Sequence, residues 1–184
     1  MNRIISEIMT PKKIKSHGIN KTADVTEIQV FEIELKEQLI PKNILALIDK
    51  VIPYQILYQF TFNEHTAYAI SLKGLKGIEK APATDYYFSE WDEPVQFDFT
   101  GTDLEQVYQK LIKAFIKNQP TQQGDFKAVI ETDQQRKQLE KDITLLAKKI
   151  RQEKQMNRKV DLNKTLLDKQ QQLKTIQNGN HHAE

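Results

Sequence analysis

Glu32, Glu34 and Lys36 come nearest to chemistry in this chain. Side chains alternate along a strand, so residues two apart share a face. On a strand through 27–36 these three would line up: two carboxylates able to hold a divalent cation, beside an ammonium able to steady an activated water. Metal-dependent phosphodiester hydrolysis of that kind needs a further carboxylate on a neighbouring strand. Asp24 precedes the same strand, and no spacing ties Asp85 or Asp98 to it. Glu34-Leu35-Lys36 is also a commonplace tripeptide that a solvated or ion-paired strand face explains. The expectation is no catalytic site, with these three residues as the candidates to check in the fold. A divalent metal is expected only if they pass, and no other cofactor.

The remaining reactive types are weaker still. His65 falls in a turn, His17 in a loop and His181-His182 at the C-terminus, none with a second ligand at helical or hairpin spacing, so no zinc site is expected. Ser71 and Ser89 lack the sharp strand-to-helix elbow of a nucleophilic serine. Lys73-Gly74-Leu75-Lys76-Gly77 lacks the spacing and following helix of a phosphate-binding loop and reads as a flexible turn. Tyr86, Tyr87, Phe88 and Trp91 could stack bases. Trp91, however, lies in Glu90-Trp91-Asp92-Glu93, which would repel phosphate, so the group reads as core. There is no cysteine, which removes disulfides, thiolate metal sites and thiol nucleophiles.

Around these residues the periodicity sets out an α+β body. Residues 2–9 are expected as a short helix ended by Pro11, and Lys12 to Ala23 as an irregular basic connector. The strongest strand signal is Glu27 to Lys36, apolar on both faces at its start and charged on one face near its end. Pro41 to Ile52 reads as a helix with Ile44, Leu45, Leu47, Ile48 and Val51 inward. Tyr54 to Phe62 and Ala67 to Lys73 form a hairpin about Asn63-Glu64-His65, and Tyr86 to Phe88 and Val95 to Phe99 supply further strands. Asp103 to Lys117 is a helix with Thr102 as its cap. The order β-α-β-β-β-α implies a mainly antiparallel sheet with helices on one face.

The last third differs in kind. From Glu131 to Gln177 there is no Pro or Gly, and apolar residues recur at Leu139, Ile143, Leu146 and Ile150, then at Leu162, Leu166, Leu173 and Ile176. Lys154 to Lys159 lacks a stripe, so the chain is expected to fold back there into a coiled-coil-like antiparallel hairpin. Residues 131–177 carry 12 Lys/Arg against 7 Asp/Glu, whereas residues 1–130 carry 15 against 17, so the chain's positive charge lies in this arm. Lys148, Lys149, Arg151, Lys154, Arg158, Lys159 and Lys164 crowd its bend, opposed by Glu153 and Asp161. A field of that sign attracts phosphate backbone or an acidic partner. The expected organisation is an N-terminal helix and connector over 1–22, the α+β domain over 23–117 and a linker over 118–130. The helical hairpin follows over 131–178 and a disordered tail over 179–184.

Two blocks resemble a bacterial and archaeal family known as domain of unknown function 4391. The first is Val25 to Lys36 followed by Ile52-Pro53-Tyr54. The second is Arg136-Lys137-Gln138-Leu139-Glu140 with Lys149 to Asn163. Tyr86-Tyr87, Trp91 and Gly101 ahead of Asp103 to Tyr108 also fit. Members of the family begin with a longer N-terminal region, so this chain is expected to be a short version. The resemblance implies no activity, but family genes often lie beside helicases and DNA methyltransferases of restriction-type defence. With the basic arm, this implies a non-catalytic accessory protein or adaptor linked to phage defence, holding a helicase- or methyltransferase-type protein or nucleic acid such as DNA. The alternatives are a divergent metal-dependent nuclease of the restriction-endonuclease type, and a homodimer whose arms pair into a four-helix bundle. No apolar run reaches about 20 residues and no signal-peptide core opens the chain, so no membrane contact and a cytoplasmic location are expected.

Overall fold

A computed structural model describes residues 5–8, 12–14, 19–73, 86–116 and 125–178. The chain divides into two compact units, Met1–Lys117 and Asn118–Glu184.

The first unit is a mixed sheet with a helix on each face. Its strands are β1 (Ile5–Ile8), β2 (Lys12–Lys13), β3 (Ile28–Leu35), β4 (Gln55–Phe62), β5 (His65–Ser71) and β6 (Tyr86–Phe88). β1 and β2 lie one after the other along the same edge of β3, pairing Ile8 with Ile33 and Lys12 with Val30, and the sheet continues through β4 and β5 to β6. Among the described strands β3 and β4 pair in parallel, joined by the crossover helix α1 (Lys42–Val51), and the other strand pairs are antiparallel. A two-residue turn, Asn63-Glu64, joins β4 to β5. Asn63 sits there at φ 53°, a left-handed conformation that asparagine tolerates better than most residues. The α+β class and mainly antiparallel sheet are as the periodicity implies.

Alternation assigns the two faces. On one, Phe31, Ile33 and Leu35 of β3 meet Tyr58 and Phe60 of β4, Ala69 of β5 and Leu45 of α1. Leu45 is wholly buried, so its truncation to alanine should cost about 2–5 kcal/mol. The other face presents Ile28, Leu57 and Ile70, also sealed from solvent. There Tyr68 of β5 meets Phe97 at 5.0 Å, edge to face. Phe97 in turn contacts Phe115, just beyond helix α2 (Leu104–Lys113). The helices therefore take opposite faces, not the single face expected.

Four local expectations fail for identifiable reasons. The segment expected as an N-terminal helix supplies strand β1, and the expected irregular connector supplies β2. An isolated helix of eight residues is marginal, whereas the edge of β3 offers a ready ladder of backbone partners. Val95 to Phe99 pairs with no strand among the described residues; Phe97 and Phe99 hold it through ring contacts instead. The cap of α2 is Asp103, whose carboxylate accepts the Gln106 N–H at 2.8 Å, not Thr102.

The second unit consists of α3 (Phe126–Gln152) and α4 (Met156–Asn178), folded back on one another. α3 starts five residues earlier than the expected arm, because Asp125 caps it through the Lys127 N–H. The reversal is also tighter than expected: Glu153-Lys154-Gln155 make the turn, and Met156 to Lys159 already belong to α4. Glu153 closes both ends of the turn. Its own N–H bonds the Lys149 carbonyl, and its carboxylate accepts the N–H groups of Lys154 and Gln155, each at 2.8 Å. The two predicted stripes run along the seam, where Leu139 is buried and the other seven residues are half-buried. Lys169 falls in the seam line between Leu166 and Leu173 and bonds Asp142 across it at 2.7 Å. A polar pair inside an apolar seam penalises slipped registers, since sliding one helix would leave both charges facing hydrocarbon.

Candidate functional site

The seven cations singled out at the bend gather at the turn end of the hairpin. Lys148, Lys149 and Arg151 lie in the last turns of α3, Lys154 in the reversal, and Arg158, Lys159 and Lys164 in the opening turns of α4. Lys159 is half-buried and the other six are exposed. Among the described residues none of the seven forms a salt bridge. Most shaft cations behave differently: Arg136 grips Asp133 and Glu140, each at 2.7 Å, Lys137 reaches Asp133 at 2.9 Å, and Lys169 holds Asp142, while Lys141 and Lys174 make no salt bridge among the described residues. Of the two acids beside the tip charges, Asp161 makes no salt bridge among the described residues, and Glu153 directs its carboxylate to the N–H groups of the turn. The backbone N–H of Gln155, then that of Lys154 and the charge of Arg158, hold it below the usual carboxylate range despite partial desolvation.

Helix dipoles sort these charges further. Cations in the last turn of a helix interact favourably with its negative end, so Lys149 and Arg151 have a structural reason to be there. Arg158 and Lys159 do not. They sit at the positive end of α4, whose first turn contains no acid. Lys149, Gln152, Glu153, Arg158, Asp161 and Leu162 line a shallow notch between the two helix ends. The tip thus offers an approaching anion unneutralised side-chain charge together with a helix start lacking acids.

The strand candidates do not assemble into a comparable centre. Glu32 pairs with Lys12 of β2 at 2.5 Å, Glu34 is exposed, and Lys36 lies exposed beyond the end of β3. A neighbouring carboxylate does exist: Glu7 of β1 stands directly across from Glu34. Among the described residues, however, no three His, Asp or Glu side chains are grouped so as to hold a metal. Asp98 is committed to Lys110 at 2.7 Å and to Thr100, which pull its carboxyl far below the usual range. The Asp24 carbonyl accepts the side-chain amide of Gln55. Asp85, His17, His181, His182 and the glycine-containing loop after Lys73 lie outside the described residues. His65 bonds Asp92 at 2.5 Å, and Ser89 accepts the Tyr68 N–H. Tyr86, Tyr87, Phe88 and Trp91 are buried or half-buried, as core packing requires.

One buried polar cluster belongs to no candidate. Asp49, on α1, is 5% exposed and takes the hydroxyl of Tyr86 on one carboxylate oxygen. Its other oxygen is buried together with the Tyr58 and Ser71 hydroxyls, whose proximity favours the charged carboxylate. Lys73 Nζ stands 3.9 Å from the carboxylate and donates to the carbonyls of Asp49, Ile52 and Tyr54, closing the C-terminal end of α1. Burial raises the Asp49 pKa above the ordinary aspartate value, outweighing the Tyr86 hydroxyl and the Lys73 charge, while burial lowers that of Lys73. The geometry is that of a polar staple joining α1 to β5 and β6.

Residues 2–173 match the family model described as Domain of unknown function (DUF4391). The chain belongs to that family. No curated protein and no solved structure matches the chain. The DUF4391 match runs through the sheet, the Asp49 cluster and the whole arm tip, so none of these features lies outside the family region. Sequence reasoning found the tip but missed Glu7 and Asp49. Glu7 becomes Glu34's neighbour only through long-range pairing. Asp49 did leave a signal: it stands four residues after Leu45, on the stripe that also contains Ile48 and Ile52.

Proposed function

We propose that this chain is a non-catalytic accessory protein of DNA-linked, restriction-type defence, which docks through the basic tip of its arm on nucleic acid or on an acidic surface of a larger enzyme. One observation favours this reading over a solvated helix face. On the shaft Arg136, Lys137 and Lys169 are neutralised by carboxylates, leaving Lys141 and Lys174 apart from each other and without a salt bridge, whereas at the tip all seven cations, gathered together, lack such a partner among the described residues. Unneutralised cations clustered about a helical reversal release counterions when they meet a polyanion. The link to defence rests on the gene neighbourhoods implied by the family resemblance. The expected protein partners are helicases and DNA methyltransferases.

Replacing Lys154, Arg158 and Lys159 together by Glu tests the reading. DNA binding or partner capture should fall sharply while the far-ultraviolet circular dichroism of the protein stays unchanged. Undiminished capture and salt-insensitive DNA binding would sink it.

The nuclease alternative draws support from Glu7 beside Glu34, a pair of like charges that a divalent cation would relieve. It requires Glu32 to leave Lys12 and Lys36 to approach from beyond the strand. Metal-dependent cleavage abolished by Glu34→Gln is its test. The homodimer alternative predicts a mass near twice 21.5 kDa by light scattering.

A further inference from the structure

We infer that the arm tip takes the phosphate backbone of double-helical DNA and not an unpaired strand. This rests on the binding role proposed above and narrows its ligand. Proteins that hold single strands combine a basic track with aromatic platforms, and each stacked base contributes about 1–3 kcal/mol. No Phe, Tyr or Trp follows Phe126 anywhere in the sequence, so the tip has no ring on which a base could stack. Its side chains are ammonium and guanidinium groups set among amides such as Gln152, Gln155 and Asn157.

The cations are also divided between two rigid supports. Lys148, Lys149 and Arg151 ride on the end of α3, and Arg158, Lys159 and Lys164 on the start of α4. The Glu153 bonds lock the turn between them. A duplex presents a dense, stiff charge array, about one per 1.7 Å of axis, that such a fixed set can meet without ordering its ligand. A flexible strand would lose conformational freedom on binding and recover little of it, with only the guanidinium planes of Arg151 and Arg158 to stack on.

The test is fluorescence anisotropy with the full chain and four labelled probes at several salt concentrations. These are a mixed-sequence DNA duplex of about 20 base pairs, each of its single strands, an oligothymidine of equal length and an RNA duplex of the same sequence. The DNA duplex should bind at least tenfold more tightly than any single strand at equal salt, and the Lys154→Glu, Arg158→Glu, Lys159→Glu protein should lose that preference. Single strands binding as tightly as the duplex, or an RNA duplex binding more tightly than DNA, would overturn the inference and leave the docking role standing. A duplex preference that survives the triple substitution would also overturn it, because the grip would then lie elsewhere. Binding to none of the probes at low salt would remove nucleic acid as the ligand altogether.

Discussion

The salt dependence of DNA binding tests whether the unpaired tip charges form the contact surface. With seven unneutralised cations at the tip, full engagement of duplex phosphates gives a slope of log affinity against log salt of about −6, taking about −0.9 per contact. Replacing Lys154, Arg158 and Lys159 by Ala leaves four contacts and a slope of about −3.6. Between 50 and 200 mM salt the native protein should then lose nearly four decades of affinity and the variant roughly two, so the two curves converge about fortyfold. Anisotropy titrations at five salt concentrations resolve that difference. Shaft variants provide the control. Lys137 and Lys169 carry the same charge but are held by Asp133 and Asp142, so Lys137→Ala with Lys169→Ala should leave the slope nearly unchanged. Parallel lines for the native and tip-substituted proteins would refute the reasoning. A shaft variant that flattens the line as much as the tip variant would do so equally, since pairing would then not be what distinguishes the two sets.

Stability offers three further tests. Lys159→Glu places an acid at the start of α4, where an acid is favoured, so the variant should melt slightly higher, with about 0.3–1 kcal/mol gained, while binding DNA more weakly; lowered helix stability would remove the argument that this lysine sits against the dipole. Tyr58→Phe deletes a buried hydroxyl beside the Asp49 carboxylate, so denaturant unfolding should show a loss of about 1 kcal/mol, whereas unchanged or raised stability would show that the hydroxyl does not support that carboxylate. Asp49 has a folded-state pKa raised above the ordinary 3.8, so the folded protein binds its proton more tightly than the unfolded chain does. Stability should therefore fall as pH rises from about 3.8 through the raised value, and Asp49→Asn should remove that decline; identical pH profiles for the two proteins would count against burial as the dominant influence on this carboxyl.

The parts of this fold legible in the sequence are those whose pattern is complete within one segment. β3 announces itself by alternation, α1 and α2 by their apolar stripes, and the arm by two stripes separated by a charged gap. What escaped depends on partners distant in the chain. β1 is four residues long and becomes a strand only because the edge of β3 is open to it. The extended run through Phe97 fails to become a strand because its contacts are ring against ring, with Tyr68 and Phe115. Which face each helix takes was equally invisible. Alternation in β3 shows that both faces are apolar at its start, but not which helix covers which.

The same locality explains why the site residues divided as they did. A metal centre is a non-local object: the chain can spell Glu32, Glu34 and Lys36 in sequence and still commit Glu32 to Lys12 on the next strand. A charged hairpin tip is a local object, because a reversal of three residues forces the cations on its two sides together whatever the rest of the protein does. What the sequence concealed even there was the neutralisation pattern. Twelve cations along residues 131–177 look alike on paper. In the hairpin those beside Asp133, Glu140 and Asp142 are paired. Glu153 instead directs its carboxylate to the N–H groups of the turn, so that it offsets the tip's charge without bonding any one cation, and Asp161 makes no salt bridge among the described residues. Building a tight reversal with that carboxylate and leaving the surrounding charge exposed are thus one structural decision. This makes Glu153 as informative about the tip as the cations themselves: Glu153→Gln keeps an acceptor for the turn but adds a unit of positive charge. Tighter duplex binding by that variant, with the helices intact, is what an electrostatic grip requires. Weaker binding would mean that the shape of the turn matters more than its charge.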